Sequence, residues 1–208
     1  MAAAAARAGR SPSQIELVAI SKTQPPEAVR EAYAAGQRLF GENYAQELRD
    51  KAEALADLPE LHFHYVGRLQ RNKAKYVASA ASMFEALDDL ALARELDRRA
   101  AALGRVLPAL VEVNLGEEQK GGVAPRELPS FLRALQPLPS LKVEGLMCIP
   151  PAAQSPEASR PWFVRVRELA RDNGLATLSM GMSADYEVAI EEGATLVRVG
   201  SAIFGARA

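Results

Sequence analysis

Residues 15–26 read Ile15-Glu16-Leu17-Val18-Ala19-Ile20-Ser21-Lys22-Thr23-Gln24-Pro25-Pro26: a β-rich apolar run, a lysine at its end, and two prolines. Aliphatic and β-branched residues fit a buried strand. Proline is tolerated in a helix's first turn, where its missing N–H would bond nothing anyway. The stretch is therefore one βα unit, strand 15–20 followed by helix 25–35, with Gly36 closing it. Lys22 falls at the C-terminal lip of the strand. Alone, such a lysine reads as an ordinary surface cation. In a partly dry pocket it becomes a nucleophile able to form a Schiff base with an aldehyde.

The same unit recurs outward along the chain. Strands are expected at 38–40, 62–66, 82–87, 107–114, 141–147, 177–180 and 196–199. Helices are expected at 44–55, 70–79, 90–103, 125–135, 156–173 and 184–192, with a short last one from Ser201. Asp88 or Asp89 is expected to cap the helix at 90–103. Eight uninterrupted βα units predict an α/β fold, a single closed (β/α)8 TIM barrel over 15–208, with 1–14 as a tail or short helix. In such barrels the site lies at the C-terminal ends of the strands. Lys22, Asn43, Gly67, Asn114, Met147, Ser183 and the turn 198–201 would converge there.

Composition narrows the function classes. Lysine plus arginine number 25 and aspartate plus glutamate 26, a net charge of −1, without the basic excess of a nucleic-acid binder. No apolar run is long enough to cross a membrane as a helix. One cysteine, Cys148, excludes an internal disulfide framework and suits a reducing compartment. The alanine-rich start, 1–10, lacks the strongly apolar core of a secretion signal. A cytoplasmic monomer is expected.

Two small-residue turns answer Lys22 from the other end of the chain: Ser179-Met180-Gly181-Met182-Ser183 and Arg198-Val199-Gly200-Ser201. Each follows an apolar strand, and a helix start favours an anion, so together they form a candidate phosphate cradle. Ser183 is also a candidate N-cap for its helix. A lysine beside a phosphate cradle points to pyridoxal phosphate. Arg198 lies in an apolar strand; if Val197 and Val199 face the helices, it faces the barrel mouth, otherwise it reaches outward to an acid such as Glu191. Facing the mouth, an always-protonated guanidinium would donate to a pyridine nitrogen and weaken the ring as an electron sink. The basic segment 64–75 reads as a solvated helix face, and His62 and His64 lack partners for a metal. Lys120 is the alternative amine, in a loop that reads as solvated.

Together these segments resemble the pyridoxal phosphate homeostasis protein family, relatives of the N-terminal barrel of alanine racemase. The resemblance rests on LVAISKT (17–23), GQRLFGENYAQE (36–47), HYVGRLQRNK (64–73), 145–147, SMGMS (179–183) and VRVGSAIFG (197–205). It implies the type III fold of pyridoxal phosphate proteins, with the cofactor held covalently on Lys22. Asn43 would contact the ring region, Arg198 the pyridine nitrogen, and Ser183, Gly200 and Ser201 the phosphate, with Ser179 nearby. The implied role is cofactor and amino-acid homeostasis without established turnover, apo-forms of pyridoxal phosphate enzymes being candidate recipients. The alternative is a pyridoxal phosphate-dependent racemase or decarboxylase; a cofactor-free aldolase using Lys22 is a third. Racemase needs a second domain with a tyrosine base, and no residues here are assigned to one. Tyr44, Tyr65 and His64 are the remaining candidate bases. The chain departs from the family pattern in its short alanine-rich start, expected to weaken packing across the barrel bottom, in Gln24 where lysine is common, and in its end just after Gly205.

Overall fold

In the computed structural model, which describes residues 1–116 and 121–205, eight parallel strands close in sequence order into a barrel. The strands are β1 (Glu16–Ile20), β2 (Leu39–Glu42), β3 (His62–Tyr65), β4 (Met83–Leu87), β5 (Leu107–Glu112), β6 (Leu141–Met147), β7 (Thr177–Ser179) and β8 (Leu196–Val199). The closing seam pairs Val18 with Arg198, so the first and last strands lie side by side. That pairing brings Lys22 and the turn after β8 to one rim.

Helices cover the outside: α1 (Ala2–Arg7), α2 (Pro26–Ala34), α3 (Ala45–Ala54), α4 (Ala74–Ala80), α5 (Leu90–Ala102), α6 (Leu128–Leu135), α7 (Arg160–Asp172), α8 (Tyr186–Glu191) and α9 (Ser201–Phe204). Of the two candidate caps on α5 it is Asp89 that serves, accepting the Leu92 N–H at 2.7 Å. The helix expected at 70–79 begins instead as a 3-10 turn, Arg71–Lys73, before α4. The helix expected from residue 125 starts only at Leu128.

The alanine-rich start does pack, contrary to expectation. Ala4 and Ala5 are fully buried, and Arg7 pairs with Glu187 and Glu191 of α8 at 2.6 Å each. Arg10 donates to the carbonyls of Ile190, in the last turn of α8, and of Ala194, in the turn that follows it, at 2.8 Å each. Small alanines let the two helices approach closely, which a helix of bulkier residues would not.

One glycine is dictated by strand packing. A Cβ on Gly145 would lie 1.9 Å from the Thr177 carbonyl oxygen, its registered neighbour on β7. Backbone cannot step aside as a flexible side chain can. Gly145→Ala is expected to cost about 3 kcal/mol, the upper part of the overpacking range, read as a lower urea midpoint. An unchanged midpoint would show that β6 and β7 can separate freely.

Candidate functional site

A cleft of about 770 Å³, open mouth included, lies at the C-terminal rim of the barrel. Lys22, Asn43, Ser183, Arg198, Gly200 and Ser201 all line it. Its walls are Ile20, Val66, Ile149, Met182 and Phe204, apolar surfaces suited to the faces of a flat ring. Lys22 is half-buried two residues beyond the inward-facing Ile20, as strand alternation requires.

One end of the cleft carries two hydroxyls. Ser183 Oγ and Ser201 Oγ approach to 3.2 Å, linking the loops after β7 and β8. Ser183 is not the N-cap of α8 as expected. Asp185 holds that position, and its Oδ1 accepts the Met182 N–H at 2.8 Å. The hydroxyl of Ser183 is therefore turned to the cleft instead of to its helix.

Arg198 is buried and inward-facing, not paired with Glu191. Its Nη1 donates to Ser179 Oγ at 2.6 Å and its Nη2 to the Cys148 carbonyl at 2.8 Å. A guanidinium carries five N–H donors in a planar fork, so these two anchors leave others for the cleft it lines. Ser179 is absent from the cleft lining. It sits beneath Arg198 and passes the contact on, donating to Glu85 Oε2 at 2.5 Å, while Glu85 Oε1 bonds His64 Nδ1 at 2.5 Å. Burial alone would push the Glu85 carboxyl up. The His64 hydrogen bond and charge, the Arg198 charge and the Ser179 hydroxyl outweigh it and hold Glu85 below the ordinary carboxylate value. An anionic Glu85 thus balances the buried Arg198 cation.

Sequence reasoning missed Glu85. The signal was available: Met83-Phe84-Glu85-Ala86-Leu87 carries one acid in an apolar strand, the complement of Arg198 in β8. A second buried group, Glu42, Glu47 and Lys51 around the Ser21–Thr23 turn, was also missed. Nothing in the isolated pattern of α3 marks Lys51 as buried. Lys120 lies outside the described residues, and among those described no three ligating side chains cluster for a metal.

The alanine racemase N-terminal domain model matches residues 2–208. A pyridoxal phosphate homeostasis protein of Aquifex aeolicus is 48% identical, covering 97% of this chain and 91% of its own length. The chain belongs to the pyridoxal phosphate homeostasis protein family. The family member of Escherichia coli K12 is 41% identical over 100% of this chain and 92% of its own. PipY of Synechococcus elongatus PCC7942, solved with pyridoxal phosphate bound, superposes with a TM-score of 0.86 at 40% identity, covering 98% of both chains. Alanine racemase of Clostridium difficile shares the barrel alone: TM-score 0.72, 14% identity, and 53% of its length covered.

In this homeostasis-family barrel none of the candidate bases Tyr44, Tyr65 and His64 lines the cleft. Tyr65 donates to the carbonyls of Asn43 and Arg68, at 2.9 and 3.2 Å, and burial, with Tyr44 adding to it, pushes its hydroxyl up to about 12. His64 is tied to Glu85 beneath the site. Tyr44 is 56% exposed and lies on a neighbouring groove outside the cleft. Burial also pushes the Cys148 thiol up to about 12, so it is no nucleophile.

Proposed function

We propose that this protein holds pyridoxal 5'-phosphate in the rim cleft as a Schiff base on Lys22 and serves cofactor and amino-acid homeostasis without turnover. The observation that carries this reading is the cleft's inventory: among the described residues lining it, the only ionisable side chains are Lys22 and Arg198. A proton relay at a substrate carbon needs an acid and a base within reach. An amine that forms the linkage and a guanidinium that never deprotonates supply one group between them.

The donor set fits the cofactor. Bound pyridoxal phosphate supplies an aldehyde for an amine and a ring able to draw electrons. Lys22 offers the amine, the Ser183 and Ser201 hydroxyls with the start of α9 suit the phosphate, and Arg198 suits the pyridine nitrogen. A hydrogen bond from Arg198 leaves that nitrogen unprotonated, which blunts the ring's pull on electrons. Asn43 and Gly200 border the ring and phosphate regions, and Ser179 steadies Arg198. The relative PipY, solved with the cofactor bound, supports pyridoxal phosphate as the occupant.

The finer reading is a cytoplasmic monomer that passes cofactor to apo-enzymes. One chain completes the cleft, the single cysteine is buried and inert, and no helix of the described residues is long and apolar enough to cross a membrane.

The test is the visible spectrum of the purified protein incubated with pyridoxal phosphate, before and after borohydride, followed by peptide mass measurement. A visible band that borohydride removes, and a cofactor adduct on the Lys22 peptide, are expected. A colourless protein after loading would overturn the reading. Solvent deuterium entering the α-carbon of an added amino acid faster than with free cofactor would favour the racemase alternative.

A further inference from the structure

The turn that carries Lys22 is gripped from behind, on the face of the sheet turned away from the cleft. Thr23 adopts φ +64°, a left-handed conformation that is costly for a β-branched residue and persists only where the surroundings impose it. Those surroundings are one cluster. Glu47 Oε1 accepts the Thr23 backbone N–H at 2.6 Å. Lys51 Nζ donates to the Ser21 carbonyl at 2.5 Å, to Glu42 Oε1 at 2.7 Å and to Glu47 Oε1 at 2.7 Å, which uses all three of its N–H donors. Ser21 Oγ donates to the same Glu42 oxygen at 2.6 Å. Both residues flanking Lys22 are therefore fastened to a pair of groups four residues apart on α3.

Packing alone does not account for this cluster. Lys51 is 2% exposed, and lysines are almost never buried that deeply unless paired. Glu42 is fully buried and its Oε2 has no hydrogen-bond partner, a cost the fold bears at this one carboxylate. Burial pushes the Glu42 carboxyl up, against the pull of Lys51. An apolar trio would fill the space between β1, β2 and α3 without that penalty, but it could not bond the Ser21 carbonyl or the Thr23 amide.

We infer that Glu47 and Lys51 are positioning residues for Lys22: they lock the Ser21–Thr23 turn, and so set how readily the Lys22 nitrogen gives up its bond to the cofactor. This rests on the covalent role proposed for Lys22. Formation of that bond joins the lysine nitrogen to the aldehyde carbon and expels one water; capture by hydroxylamine transfers the carbon to the new nitrogen and returns Lys22 as the free amine. A turn free to swing lets the nitrogen leave its aligned position, so capture accelerates.

Glu47 is the residue to change, because its side chain is 22% exposed and its loss strands no buried carboxylate. Glu47→Gln keeps an oxygen acceptor for Thr23 and Lys51 while removing the charge; Glu47→Ala removes both. In the cofactor-free protein, amide exchange at Thr23 should rise about tenfold in Glu47→Ala and stay near wild type in Glu47→Gln, the scale of one net hydrogen bond. The Val111 amide of β5 is the control for global loosening and should not change. In the loaded protein, hydroxylamine should discharge the visible band about tenfold faster in Glu47→Ala and at nearly the wild-type rate in Glu47→Gln. Equal rates in all three proteins overturn the inference. So does equal acceleration at Val111, which would mean general destabilisation, or a Glu47→Gln protein as fast as Glu47→Ala, which would mean charge acts instead of geometry. A wild type without an adduct on Lys22 would sink the proposed function instead, while the Thr23 exchange would still decide whether the clamp exists.

Discussion

Lys22→Ala loaded with pyridoxal phosphate and reduced with borohydride is expected to carry no cofactor on the peptide that spans residue 22, and to bind the cofactor about a hundredfold more weakly than wild type. The first part follows from chemistry, since alanine has no amine. The second follows from what remains in the cleft. Arg198 is still anchored by Ser179 and Cys148, and the Ser183–Ser201 pair still closes the other end. Charge-assisted contacts of that kind hold a ligand at both ends, so binding weakens without vanishing; a factor of about a hundred corresponds to roughly 2.7 kcal/mol. Equilibrium dialysis gives the affinity and peptide mass gives the location. Wild-type affinity with a full-stoichiometry adduct on some other lysine would show that the cleft does not depend on Lys22.

That prediction draws on the part of the site the sequence made legible. Alternation along a strand tells which side chains face inward, and the succession of βα units tells which loops share a rim. These two rules placed Lys22, Asn43, Ser183, Arg198 and Ser201 around one cleft before any contact was known. The rules say nothing about which inward side chains meet across a barrel. Ser179 and Glu85 lie 94 positions apart, and Arg198 and Cys148 lie 50 apart, so their bonds depend on strand tilt and register. Ser179 accordingly read as a phosphate neighbour when it supports Arg198 from beneath. Caps are ambiguous for a different reason. Ser183 and Asp185 both suit a helix start, and only the loop's path decided that Asp185 would take that position. Lys51 was hidden because a lysine on a helix is almost always solvated, and its burial needs Glu42 brought from β2 as well as Glu47 one turn earlier on its own helix.

The same buried chemistry makes Glu85 the most sensitive acid in the barrel interior. Glu85→Leu removes the anion linked to Arg198 through Ser179, two hydrogen bonds away, and the direct partner of His64, leaving a guanidinium at 4% exposure without that counter-charge. Breaking a buried charge set by deleting one member costs about 3–5 kcal/mol, because the survivor stays desolvated. Urea unfolding at neutral pH should show that loss. Glu85→Gln should fall between leucine and wild type, since an amide can still bond Ser179 but carries no charge. Acid supplies an independent reading of the same interaction. The folded protein holds Glu85 below its ordinary value of 4.5, so the unfolded chain takes up the proton first as pH falls. The stability owed to the ionised carboxylate is complete above that value and is lost as pH drops through the lower folded one. Wild type minus Glu85→Gln should therefore be a stability difference that shrinks below about pH 5. A difference that grows on acidification would mean that Glu85 is protonated in the native barrel. Arg198 would then be without its counter-charge, and the hold on a pyridine nitrogen proposed for it would rest on the Ser179 and Cys148 anchors alone.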